Sequence, residues 1–347
     1  MDLVIVIGAV AKVAVIVGLL QVSVALLTWV ERRGSALIQL RRGPNRVGPF
    51  GLLQPMADGI KFFFKEDVLP PFVHKPTFIV APAVSLFCAL MAFAVIPFGG
   101  VLEVSGREIP LVIANIDAGV LLLLAASGLG VYGIILAGWA SNNKYSQLGG
   151  LRASAQMISY ELSLGLGVIA VLVLAGTLNL SEIVELQSRS LPFVVYLPLG
   201  FVVLLIAGFA ETNRLPFDLP EAESELVAGY HTEYSSMKFS MFFMAEYINM
   251  ITSAALLVTL YLGGYGVPRF IAEPLGLSGN ALVVAEVVSF AAKVAFFLWV
   301  FVWVRWTLPR FRFDQLMRVG WKALIPLGFA NVIWAALLTI LKPEWFS

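Results

Sequence analysis

The chain has 347 residues, 59% of them hydrophobic and 13% charged, and a net charge of +1, against roughly 25% charged in an ordinary soluble domain. That balance excludes water as its main solvent, and the lack of a basic tail or an aromatic–basic patch excludes nucleic acid as a partner. One cysteine, Cys88, and two histidines, His74 and His231, exclude an internal disulfide, a cysteine-ligated zinc site and an iron–sulfur cluster bound by this chain alone.

A hydrocarbon core about 30 Å thick needs about 20 apolar residues per helical crossing. Runs of that kind recur over residues 3–30, 77–98, 118–140, 155–176, 193–210, 239–263, 281–306 and 323–341. The pattern predicts an all-α membrane protein of about eight transmembrane helices forming one domain over residues 1–347. The first run is too long for the core of a cleaved signal peptide and reads as a retained helix. The fifth is the shortest and carries Pro198. No internal repeat is visible, which argues against the duplicated transporter folds.

Between the first two runs, the loop at 31–76 holds Arg32, Arg33, Arg41, Arg42, Arg46, Lys61, Lys65 and Lys75. The last loop holds Arg310, Arg312, Arg318 and Lys322, whereas the second, fourth and sixth hold only Arg107, Arg189 and Arg269. Cytoplasmic loops retain the excess of lysine and arginine, so the first and last loops are expected in the cytoplasm and both termini on the opposite side. Within the first loop, residues 51–66 read GLLQPMADGIKFFFKE. Leu53, Met56, Ile60 and Phe64 share one helical face, and Gln54, Asp58, Lys61 and Lys65 another. This predicts an amphipathic helix lying in the interface plane, as an anchor or as the wall of a lipid-accessible site.

Glu161, Glu246, Glu286 and Lys293 fall inside predicted spans, and Lys12 inside the first. A charge near a helix centre costs roughly 2.5–3.5 kcal/mol on insertion scales, so each needs a partner, a proton or water. Glu246 shares a face with Asn249 and Ser253, and Glu286 with Ser289 and Lys293, so both stripes are expected to face the protein interior. Glu161 is followed by Gly165 on its own face, which would admit a close neighbouring helix. One such glutamate serves as well for packing as for transport; several together favour an ion or proton path. Glu286 and Lys293 stand about 10.5 Å apart along the axis, too far for a direct salt bridge. They require a link through Ser289, water or another helix. Lys12 snorkels and is given no role.

The third cytoplasmic loop, 211–237, carries Glu211, Asp218, Glu221, Glu223, Glu225 and Glu233 against Arg214 alone. Carboxylates at such spacing repel one another, so the cluster is expected to keep some protons near neutral pH and to titrate as a unit. A solvated acidic face that docks a basic partner fits the same composition.

Two segments resemble a known family. GLLQPMADGIKFFFKE and, at 216–229, PFDLPEAESELVAG are similar to the signatures of the NADH dehydrogenase subunit 1 family, whose bacterial members belong to the NADH:quinone oxidoreductase of respiratory complex I. RRGPNRVGP (41–49), ASNNKYSQLGGLR (140–152) and FAETNRLPFD (209–218) extend the resemblance along essentially the whole chain. The resemblance implies a subunit at the junction of the peripheral and membrane arms, with quinone as substrate and no redox centre of its own. Iron–sulfur clusters and FMN would reside in partner subunits. Carried over by motif, Glu31, Arg32, Asp58, Lys61, Phe217 and Asp218 would line or approach the quinone path. Glu161, Glu211, Glu221, Glu223, Glu225 and Glu246 match the family's acidic path, with Glu286 and Lys293 as further candidates.

The expected setting is a bacterial plasma membrane rather than the mitochondrial inner membrane, with the other complex I subunits and the lipid bilayer as partners. The membrane subunit of an energy-converting hydrogenase and a stand-alone proton-coupled carrier are the alternatives. The amphipathic segment and GPNRVGP weigh against the first, and the lack of interrupted helix pairs against the second.

Overall fold

The computed structural model describes residues 3–104, 106–219, 223–267 and 278–341. Glu221 and Arg269 lie outside the described residues, as does the side chain of Glu223. The long helices are α1 (Leu3–Ile38), α3 (Lys75–Phe93), α4 (Gly119–Ala140), α5 (Lys144–Ala175), α10 (Ser236–Tyr261), α11 (Asn280–Thr307) and α12 (Phe313–Leu341). All seven are long and apolar enough to cross a membrane. An eighth, α8 (Pro198–Glu211), is apolar but only 14 residues long. Shorter pieces are α2 (Gln54–Phe64), α6 (Leu180–Arg189), α7 (Phe193–Tyr196) and α9 (Glu223–Leu226).

Several boundaries depart from the hydropathy pattern for local reasons. The apolar run in α1 stops at Val30, yet the helix continues to Ile38 through Glu31, Arg32 and Arg33. Those residues are good helix formers, so the first loop begins two turns later than the sequence implies. The fifth apolar run is split at Leu197 (φ −127°, ψ 57°), because the proline that follows disfavours helical geometry in the residue before it. The resulting free N–H of Gly200, in the first turn of α8, is accepted by the buried Asn331 Oδ1 of α12 at 3.1 Å. Asn143 caps α5, its side chain accepting Tyr145 N–H at 2.9 Å, and Gly176, with φ +67°, ends it. Within α12 a π-helical turn spans Gly320–Leu324, just before Pro326, which has no N–H and would crowd the carbonyl four residues back.

The second loop folds into an antiparallel hairpin of β1 (Val101–Val104) and β2 (Arg107–Pro110), pairing Leu102 with Ile109. The hydropathy pattern carries no sign of it. Asn280, opening α11, pins the hairpin, accepting Glu103 N–H at 3.0 Å and donating to Glu103 O at 2.7 Å.

Helix α10 is the most enclosed element, with Ile248, Leu260 and Tyr261 at 0% exposure, whereas α1 and α12 leave broad apolar flanks outside. Among the described residues this is the pattern of a bundle whose solvent is lipid. Helix α2 follows the same logic: Met56, Ile60, Phe63 and Phe64 are exposed on its outer side, while Asp58 turns inward to Arg32 of α1 at 2.5 Å.

Candidate functional site

Four separate elements converge on Arg214, in the loop after α8. Gln156 of α5 fixes that loop by donating to Ala210 O (2.8 Å), Asn213 Oδ1 (3.0 Å) and Phe217 O (2.8 Å), and Phe311 N–H binds Pro216 O at 3.2 Å. Arg214, 4% exposed, then reaches Glu31 of α1 through Nη1 at 3.2 Å and Glu246 of α10 through Nε at 2.6 Å. Its guanidinium lies 4.5 Å over the Tyr247 ring. The Tyr247 hydroxyl donates to Glu31 Oε2 at 2.7 Å, and Arg305, in the last turn of α11, pairs with the other oxygen of Glu31. Burial opposes the charge of Arg214, but the carboxylates of Glu246 and Glu31 hold its pKa well above the ordinary arginine value. Formally the two arginines balance the two glutamates.

Asp218, on the same loop, pairs with Arg310 at 2.9 Å. Phe217 beside it is buried in the chain, its ring 5.4 Å from Tyr160 and 5.6 Å from Phe311. Arg32, Asp58 and Lys61 form a separate exposed group, with Gln54 Nε2 donating to Asp58 at 3.2 Å and Lys61 at 3.8 Å.

Inside the bundle, Glu246 and Asn249 line a narrow cavity with Glu211, Asn213 and Ser85. Its volume is about 30 Å³, on a measure where one water needs about 10–15 Å³. Glu211 and Met157 also line a tighter cleft with Ser127, Gly128 and Glu161. Glu211 thus borders both spaces, with Glu246 on the cavity and Glu161 on the closed cleft. Glu161 packs against Gly128 of α4, where an added Cβ would meet Oε1 at 2.8 Å, while Gly165 faces open space. The close approach expected at Gly165 falls instead on the glycine of the opposite helix.

Three described carboxylates of the acidic loop have partners on other elements, whereas Glu221 and the Glu223 side chain, and with them the 221/223/225 spacing, lie outside the described residues. Glu225 pairs with Arg152 at 2.6 Å, Glu233 accepts from Asn143 at 2.7 Å and Asp218 takes Arg310. The cations of Asp218 and Glu225 thus come from other elements. Glu286 accepts Gly100 N–H at 2.8 Å, and Lys293 Nζ donates to the carbonyls of Leu262, Gly264 and Gly266 at 2.9–3.1 Å. Burial pushes His231 down to about 4, and its ring packs edge-on against Tyr230 and Phe239.

Sequence reasoning gives Arg305 and Tyr247 no role, and Arg310 only a part in orientation. Arg305 carries the same signal as the glutamates, a charge inside an apolar run. Tyr247 and Arg310 carry none, since their partners lie on distant segments.

The sequence model of the family described as NADH dehydrogenase matches residues 11–336. The chain is 51% identical to an NADH-quinone oxidoreductase H-type subunit of Cytophaga hutchinsonii, over 88% of this chain and 89% of that one. It is 50% identical to an NADH-quinone oxidoreductase H-type subunit of Koribacter versatilis, over 96% and 97% of the two. To NADH-quinone oxidoreductase subunit 8 of Rhodothermus marinus it is 49% identical, over 93% and 94%. On a match over nearly the whole chain, and on relatives about half identical over most of their length, this protein belongs to the NADH dehydrogenase family.

Proposed function

We propose that this chain is the membrane subunit of an NADH:quinone oxidoreductase, respiratory complex I, that forms the quinone site and links quinone reduction to proton translocation. One observation carries the reading: the Glu31–Arg214–Glu246 cluster, close to the α2 side of the bundle, adjoins a polar cavity bordered by Glu211, which also borders the closed cleft at Glu161. Buried ion pairs are poor stabilising devices, because desolvation offsets most of their attraction. Three largely enclosed charges, Glu31, Arg214 and Glu246, with the half-buried Arg305 beside them, are better explained by a task that needs them. Relatives named NADH-quinone oxidoreductase supply the reaction class.

On this reading quinone enters between α1 and α2, past Arg32, Asp58 and Lys61. Its headgroup approaches Glu31 and Asp218, and Phe217 holds the loop in shape. Electrons arrive from an iron–sulfur cluster in a partner subunit, itself supplied through FMN, and each quinone takes up two electrons and two protons. The charge change is felt by Arg214, which two carboxylates share. A proton gained by Glu246 loosens one contact and leaves the guanidinium to Glu31, a local two-position switch. Glu211 and Glu161 pass the change inward, and Glu221, Glu223 and Glu225 gather protons at the loop. Glu286 and Lys293, each committed to backbone groups, stand apart from this line. The basic first and last loops face the cytoplasm of a bacterial cell and both termini the periplasm.

Affinity purification of the tagged chain from native membranes tests the reading. Co-purification of iron–sulfur and NADH-oxidising subunits is the expected outcome. Recovery with a nickel–iron subunit, or as a lone protein, would replace it with the hydrogenase or the carrier.

A further inference from the structure

Lys12 of α1 makes no hydrogen bond or ion pair among the described residues. At 1.5 Å per residue it stands about 30 Å along the axis from Arg32, one hydrocarbon thickness. Arg32 sits on the side of the bundle that carries the interfacial helix. Lys12 therefore reaches the opposite headgroup level, where its cation has no protein partner among the described residues.

On the same helical face, one and two turns further along, Ile16 and Leu20 open an apolar cleft between α1, α3, α10 and α11. Phe93, Phe290 and Ala291 line it as well, and its volume is about 240 Å³. From Lys12 to Ser23, at its inner end, is about 16 Å, close to the depth of one leaflet. The Ser23 hydroxyl is already committed to Leu19 O at 2.8 Å, so the walls hold nothing for a polar ligand. An apolar slot whose α1 wall runs from Ile16 to Ser23, about 10.5 Å, with a cation one helical turn beyond it, has the layout of a phospholipid.

We propose that this cleft seats one acyl chain of an anionic phospholipid from the leaflet opposite the interfacial helix, with the lipid phosphate on Lys12. A zwitterionic lipid fills the slot equally well but brings its own cation to the ammonium. An uncharged isoprenoid chain leaves Lys12 without a counter-charge. The anionic headgroup is the occupant that uses both features.

The test uses the assembled membrane complex in phosphatidylcholine nanodiscs. These are doped with phosphatidylglycerol or phosphatidylcholine bearing a diazirine midway along one chain, and crosslinked peptides are read by mass spectrometry. Crosslinks on the segments around Ile16 and Phe290 are expected, about fivefold stronger for phosphatidylglycerol, the fold-change equivalent to about 1 kcal/mol per basic residue at an anionic surface. Lys12→Gln removes the preference, Lys12→Arg keeps it, and Ala291→Phe removes the crosslinks of both probes. Equal labelling by the two lipids, a preference unchanged in Lys12→Gln, or no crosslink in the cleft overturns the proposal.

Discussion

Arg214 Nε lies 2.6 Å from Glu246 Oε1, a contact that ties the loop after α8 to the most enclosed helix of the bundle. The same guanidinium reaches Glu31 on α1, so one side chain sets the geometry of three elements. Its removal is predicted to strand two buried carboxylates. Breaking a buried pair by deleting one partner costs roughly 3–5 kcal/mol. Arg214→Met should therefore lower the thermal midpoint of the purified chain and the yield of assembled complex, and the added change Glu246→Gln should restore part of both. A single variant as stable as wild type would mean that the cluster is not the buried network described.

Asp58 faces Arg32 at 2.5 Å on the exposed side of the bundle. Exposed pairs of this kind contribute about 0–1 kcal/mol, so Asp58→Asn is predicted to leave assembly intact. Quinone-linked turnover should fall while NADH oxidation with an artificial acceptor survives. Lys61, whose side chain is 64% exposed, should matter less than Asp58. Equal loss of both activities in a fully assembled complex would remove this helix from the quinone path.

Gly128 offers a way to move Glu161 without changing its charge. An alanine Cβ there meets Oε1 at 2.8 Å, whereas one at Gly165 meets nothing within 4 Å. Gly128→Ala is predicted to reduce proton pumping, though by less than Glu161→Gln, while Gly165→Ala stays at the wild-type level. The reverse ranking would show that the position of the Glu161 carboxylate has no bearing on transport.

Hydropathy makes the spans legible because lipid imposes one rule on every helix: about 20 apolar residues, with charges only where they are partnered. It also exposes Glu161 and Glu246, whose signal is their cost. What stays hidden depends on three-dimensional pairing. Arg214 reads as the lone cation of an acidic loop, and nothing in its neighbourhood names Glu31 as its partner. Asp218, Glu225 and Glu233 find Arg310, Arg152 and Asn143 on other segments, partners that the loop's own sequence does not name. The continuation of α1 past Val30 is hidden for a different reason, since apolar content tracks the membrane and not the helix.

On the proposed reading, Glu246 carries a proton rather than only an ion pair with Arg214. Glutamine keeps nearly the volume and hydrogen-bonding reach of the side chain but cannot exchange the proton; aspartate keeps the proton on a shorter arm. The decisive measurement is protons translocated per NADH oxidised in assembled complexes bearing Glu246→Gln, Glu246→Asp or the matching Glu161 variants. The account predicts that both glutamine variants lose quinone-linked pumping and that the aspartate variants retain a measurable part. Near-wild-type pumping in Glu246→Gln and Glu161→Gln would contradict it and leave these residues as packing elements of the bundle.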